Sequence, residues 1–184
     1  MEFEGNLSWG YNPSYFLAPD KFYGTKNELK DFIQKAHQQG IAVILDMVLN
    51  HAFGQNAMVQ MYFDKSANKP AANSPWFNQD AKHPYNVGYD FNHESQYTKN
   101  FVDTVTSYWL KEYHFDGFRF DLSKGFSNVN YCTTSKCDTK SEVNAWSSYD
   151  ASRILIINRM ANEIWKVKSN AYVILEHFAD GNEE

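Results

Sequence analysis

The chain has 184 residues, 43% of them hydrophobic, with a formal net charge of −5. That apolar content is enough for one substantial core, which excludes a disordered tail. Acids and bases are interspersed without a block of like charge, so neither a nucleic-acid arm nor a patch for an anionic membrane is indicated, and a neutral partner fits better.

No run of about 18 apolar residues and no charged-then-apolar leader occurs, so no membrane insertion and no signal peptide are expected in the chain as given. Aromatic residues make up 17% of the chain, and many sit in polar, Gly/Asn/Pro-containing stretches such as Trp9-Gly10-Tyr11-Asn12-Pro13 and Pro75-Trp76-Phe77-Asn78. Loop aromatics of this kind suit the faces of sugars, or else plug a loop against its own domain.

In chain order, Thr25-Lys26-Asn27-Glu28 has the form of a capping box. Leu29, Phe32, Ile33 and Ala36 follow at helical spacing until Gly40 stops the helix. Ile41 to Leu45 is a nearly continuous apolar run, the pattern of a parallel strand buried on both faces, and it is expected to end at Asp46. An irregular stretch from about 52 to 94, rich in Asn, Pro, Gly, Gln and aromatics, is too long for a plain connection and reads as a functional excursion.

Structure resumes with Phe101, Val102, Val105, Tyr108 and Trp109 on one helical face, and then Phe115 to Phe120 as a second strand ending at Asp121. Cys132 and Cys137 lie five apart in a Thr/Ser/Lys loop. They read as a small disulfide or two idle thiols rather than a zinc site, whose other ligands are lacking. Asp150 is placed to cap a helix whose core face is Ile154, Ile157, Met160, Ala161 and Ile164, and Tyr172 to Leu175 forms a third strand ending at Glu176.

Helices alternating with buried strands predict an α/β protein with a parallel sheet, and no linker divides residues 1–184. All three strands are expected to end in a carboxylate: Asp46, Asp121 and Glu176. The carboxyl ends of parallel strands are where active sites collect, so three acids fall on one rim. Residues two apart on a strand point the same way, so Arg119 projects with Asp121. Arginine there should keep that aspartate ionised. Retaining glycoside hydrolysis needs two carboxyl groups about 5 to 5.5 Å apart, one ionised to attack and one protonated. Adjacent strands about 4.8 Å apart can supply that separation from Asp121 and Glu176, and partial burial of Glu176 should help it hold a proton.

Asp46-Met47-Val48-Leu49-Asn50-His51, Gly117-Phe118-Arg119-Phe120-Asp121 and Leu175-Glu176 resemble, in order and spacing, three of the four signature regions of the α-amylase family, glycoside hydrolase family 13. Trp9 to Pro13 and Tyr89-Asp90-Phe91-Asn92-His93 also look like loops of this family, so the resemblance covers essentially the whole chain. It implies a segment of a (β/α)8 TIM barrel covering about strands 3 to 5, with the excursion after strand 3 and residues 1 to 10 as the tail of strand 2.

By resemblance, Asp121 is the nucleophile, Glu176 the general acid/base and Arg119 the residue that orients and ionises Asp121. His51 contacts the sugar at the cleavage point, Tyr11 stacks on it, and Asp46 is a structural partner of Arg119. Lys124 matches a residue lining the acceptor side, although Gly125 replaces a common histidine. Asn50 matches a ligand of a structural calcium ion, with no clear second ligand in the excursion; no cofactor is otherwise required. The implied partner is an α-1,4-glucan. Compartment stays open, with a secreted or cell-envelope location preferred.

The family's fourth region, with its histidine and aspartate, does not occur before Glu184, and an eight-stranded barrel needs about 250 residues. The polypeptide is therefore expected to be an excised segment of negligible hydrolytic activity, whose open strand edges favour self-association. Within the same family, a branching enzyme or glucanotransferase shares every residue quoted, and the Trp9 to Pro13 opening leans that way. Two other classes remain. A non-catalytic glucan-binding module would have been expected to lose an acid, and a nucleotide-binding domain needs a glycine-rich phosphate loop that is not found.

Overall fold

The computed structural model describes residues 1–181 and 183. Strand β1 (Glu2–Phe3) pairs antiparallel with β2 (Pro13–Tyr15). Residues 1 to 10 thus form one arm of a hairpin, and their expected place as a strand tail in the parallel sheet is corrected: β1 bonds to β2 and to no strand of that sheet.

Helix α1 (Lys26–Gln38) opens with the predicted capping box. Thr25 Oγ1 accepts the Glu28 amide and Glu28 Oε2 accepts the Thr25 amide, which satisfies two of the orphan donors at the helix start. Strand β3 follows at Ile44–Val48. It starts and ends about three residues later than the apolar run predicts, so Asp46 lies in mid-strand, opposite Arg119, instead of at the strand end. The ladder sets that register, and Ile41–Val43 form its approach, with Asp116 Oδ2 accepting the Val43 amide at 2.8 Å.

The excursion carries short pieces of structure: β4 (His51–Ala52), α2 (Ala57–Met61), β5 (Phe63–Asp64), β6 (Lys69–Pro70) and β7 (Tyr89–Asp90). Two antiparallel pairings, β4 with β7 and β5 with β6, fold it back on itself. Helix α3 (Gln96–Tyr113) leads to β8 (Gly117–Asp121). After a 3₁₀ turn at Ser123–Gly125 come α4 (Lys140–Ser147), α5 (Ala151–Val167) and β9 (Tyr172–Leu175). Asp150 caps α5 as expected, accepting from the amides of Ser152 and Arg153. Cys132 and Cys137 are joined in a disulfide.

The three predicted strands form one parallel sheet in the order β3-β8-β9. Parallel neighbours require long crossovers. Helix α3 supplies the first, α4 and α5 the second, and α3 packs on α5. The sheet face under these helices is sealed: Met47, Phe118 and Phe120 are fully buried and join Val102, Val105, Trp109, Ile157, Met160 and Ile164 in the core. Burying each such side chain contributes about 1.5–3 kcal/mol. On α5 it is Ile156, not Ile154, that completes the buried set. Among the described residues no helix is long and apolar enough to cross a membrane.

Candidate active site

The period-two alternation that buries Met47, Phe118 and Phe120 on one face puts Asp46, Arg119 and Asp121 on the other. Asp46 and Arg119 are register partners on β3 and β8, and Glu176 follows the end of β9, its amide bonded to the Phe120 carbonyl at 3.0 Å. The strands therefore deliver all four groups to one patch.

Arg119 is its hub. Nη1 donates to Asp46 Oδ1 at 2.8 Å and to Asp121 Oδ1 at 3.2 Å, while Nη2 lies 2.7 Å from Glu176 Oε1. One guanidinium thus bridges three carboxylates, a geometry that its planar fork supports and a lysine would not.

Burial, followed by the neighbouring charge of Glu176, pushes the Asp121 carboxyl up to about 6, against the opposing pull of Arg119. The reason is visible in the contacts: Arg119 makes its shorter bonds to Asp46 and Glu176, and the Asp121 side chain is 15% exposed against 25% for Glu176. Desolvation disfavours the charged form of the deeper acid.

Glu176 is held from its back. Leu122, in a left-handed conformation (φ 45°), donates its amide to Glu176 Oε2 at 3.0 Å. The amide and hydroxyl of Ser123 both donate to the Glu176 carbonyl, at 3.0 and 3.1 Å. His177 Nδ1 meets Ser123 Oγ at 3.0 Å and its Nε2 meets Glu183 Oε2 at 2.8 Å, while Glu183 pairs with the fully buried Arg153. Ser123, His177, Glu183 and Arg153 were not singled out from sequence. Their partners lie six to more than fifty residues away, and a lone Ser or His in a loop carries no period; the Ser after a strand-end Leu122 was the only available hint.

Of the remaining predicted residues, Tyr11 joins the patch, its hydroxyl donating to Asp46 Oδ2 at 3.0 Å. His51 does not face it: the ring is 1% exposed and Nε2 meets the Tyr11 carbonyl at 2.8 Å. It ties down the Tyr11 loop, and burial pushes its imidazole below the usual range. Lys124 is likewise buried, its ammonium turned inward, donating to Ser147 Oγ at 2.6 Å and the Phe178 carbonyl at 3.1 Å over the Trp146 ring. Asn50 is fully buried against His83. His93 is buried too, its imidazole pushed down to about 4 by desolvation, with Nε2 2.9 Å from the Leu49 carbonyl.

Comparison with known proteins shows the family. The family model described as alpha amylase, catalytic domain, matches residues 4–184. Among curated relatives, the chain is 36% identical over 127 residues to a pullulanase of Bacillus subtilis, covering 62% of this chain and 17% of that protein. It is 35% identical over 130 residues to a 1,4-alpha-glucan branching enzyme of Nitrosospira multiformis, covering 67% of this chain and 16% of that one. The chain thus spans about a sixth of the length of the curated relatives it matches. Among solved structures, Amy13B of Eubacterium rectale superposes with a TM-score of 0.69 at 20% identity, over 95% of this chain and 35% of that one. The type I pullulanase of Bacillus subtilis in complex with maltose gives 0.63 at 26% identity, over 95% of this chain and 23% of that one.

Proposed function

The chain belongs to the α-amylase family, matching its catalytic domain, and from that premise we propose that its acids carry out retaining cleavage of α-1,4-glucans. Strands β3, β8 and β9 correspond in this reading to strands 3 to 5 of the family's barrel. The observation that carries it is the bridge from Arg119 to both Asp121 and Glu176 on one face of the sheet.

Asp121 attacks the anomeric carbon as its carboxylate, while Glu176 gives its proton to the departing glycosidic oxygen. Water then releases the sugar as Glu176 takes the proton back. Arg119 orients both acids and stabilises the ionised Asp121, and Asp46 and Tyr11 fix Arg119 from the far side. The Leu122 amide at Oε2 fixes the orientation of Glu176.

The branching enzyme favours a second reading within the same chemistry. It matches as well as the pullulanase does, so transfer of the glycosyl unit to a glucan hydroxyl instead of water stands beside hydrolysis. Trapping a longer protein that carries these residues together with the family's fourth region, using a slow fluorinated maltosyl substrate followed by peptide mass spectrometry, tests the common step. A glycosyl adduct on Asp121 is expected, and an adduct elsewhere or none at all sinks the assignment. Linkage analysis of the products then decides between the readings, because new 1,6 bonds appear only on transfer.

The open sheet face and the free edges of β3 and β9 also support self-association of these residues when nothing covers them. Tyr172 and Ile174 are 55% and 45% exposed there. Sedimentation of the 184-residue chain over a range of concentrations tests this, and a constant monomer mass rules it out.

A further inference from the structure

Between the sheet and the excursion lies a buried polar knot that the proposed chemistry does not use. Asn50, His83 and Asp90 are 0%, 2% and 2% exposed. His83 Nε2 lies 3.1 Å from Asn50 Oδ1 and 3.6 Å from Asp90 Oδ1, and Nδ1 lies 2.8 Å from the Pro84 carbonyl. The imidazole stacks on Trp146 of α4 at 5.0 Å and 9°. Asp90 Oδ2 accepts from Asn78 Nδ2 at 2.8 Å and from the Lys82 amide at 3.2 Å, while Oδ1 is buried with no hydrogen-bond donor.

Family resemblance placed a calcium ion on Asn50. Calcium takes 6 to 8 oxygens at about 2.3–2.6 Å. The side-chain oxygens that converge here are Asn50 Oδ1 and Asp90 Oδ1, and the space both face is filled by an imidazole nitrogen. Among the described residues no group of three His, Cys, Asp or Glu side chains is arranged to hold an ion. The 3₁₀ turn reinforces the point: a Cβ on Gly125 would fall 1.8 Å from Asn50 Oδ1 and 2.8 Å from His83 Nε2, so only glycine leaves room for the pair. The donor set does not fit calcium.

We propose that the His83 side chain takes the structural place of a metal ion, tying the excursion to the end of β3 and to α4, and that the fold needs no calcium. It bonds the Asn50 side chain just beyond β3, faces Asp90 of β7 and stacks on α4, so one ring joins three elements that share no hydrogen-bond ladder with one another among the described residues.

The test is melting of the EDTA-stripped protein in chelator and in millimolar CaCl2, with calcium titration by calorimetry. No heat of binding and superimposable curves are expected, whereas a calcium site filled a hundredfold over its Kd would raise the midpoint by roughly 5–10 °C. His83→Ala should lower the midpoint by roughly 4–8 °C and speed limited proteolysis within residues 52–94. Should that variant not fold, His83→Gln is measured in its place and should show the same changes in smaller degree. The idea is overturned if calcium stabilises the unmodified protein and Asp90→Asn abolishes that gain. It is equally overturned if the His83 variants melt and resist protease like the parent.

Discussion

The two faces of the three-stranded sheet obey opposite rules. On the helix side, Met47, Phe118 and Phe120 are 0% exposed and sit within the hydrophobic cluster, so burial dominates the energetics. On the other side, Arg119 holds Asp46, Asp121 and Glu176 together with the Asp46 side chain 48% exposed, and Ile174 is left half in water. The same backbone ladder serves both. One face stabilises the fold, and the other spends part of that stability to hold like charges in contact.

Replacing an acid on the open face should therefore remove activity and spare the fold. In a parent that carries these residues together with the family's fourth region, Asp121→Asn is expected to lower kcat/KM on a maltooligosaccharide by about four orders of magnitude, with an unchanged circular-dichroism spectrum. Activity within tenfold of the parent would break the division between the faces. The converse substitution, Phe118→Ala on the helix face, should cost about 3–5 kcal/mol, read by urea unfolding, because the void lies between β8 and two packed helices. A loss below 1 kcal/mol would mean that this face is less tightly packed than its burial indicates.

The third expectation sharpens the contrast through pH. The folded-state value of about 6 for Asp121 lies above its ordinary 3.8, so the folded protein holds this proton more tightly than the unfolded chain. Ionisation consequently destabilises the fold as pH rises from about 4 through 6, and the penalty is complete above that. Asp121→Asn should then be more stable than the parent at pH 7, by roughly 1 kcal/mol after allowance for water at the open face. The gain should vanish near pH 4. In the parent, kcat/KM should fall on the acid side with a midpoint near 6, as the nucleophile takes up its proton. A midpoint at 4 or below, or a variant no more stable at pH 7, would show that Arg119 dominates after all.

The helix face was almost fully legible in the sequence, because burial there imposes a period. Val102, Val105 and Trp109 recur at helical spacing, the capping residues Thr25 and Asp150 announce their helices, and the strands stand out as short apolar runs. The limit was register: nothing local says that Asp46 pairs with Arg119 within β3, since the ladder to β8 is set by long-range contacts. On the open face the acids were legible by type and position but their electrostatics were not. Which acid is deeper depends on how Arg119 divides its bonds, a three-dimensional fact. His51 and Lys124 show the same gap, each polar in sequence yet turned inward to a distant carbonyl or hydroxyl. His83 had no local signal at all, lying in an aperiodic stretch and acting through Asn50, thirty-three residues away.

The smallest effect is the most discriminating test of the two-face view. Ile174 alternates with Val173 and Leu175 on β9, and those two pack on the core while Ile174 is 45% exposed. Ile174→Ser removes a methyl and an ethyl group that are already half hydrated, so it should change monomer stability by less than about 1 kcal/mol. In the 184-residue chain it should also weaken any self-association, because it makes the apolar end of the open face polar, and sedimentation would read this as a fall in average mass. In a protein where further strands cover this face, the same substitution should behave as a core change and cost about 2 kcal/mol or more. A residue whose cost depends on what covers it marks the open face as an interior surface, whereas equal small costs in both settings would mark it as true exterior.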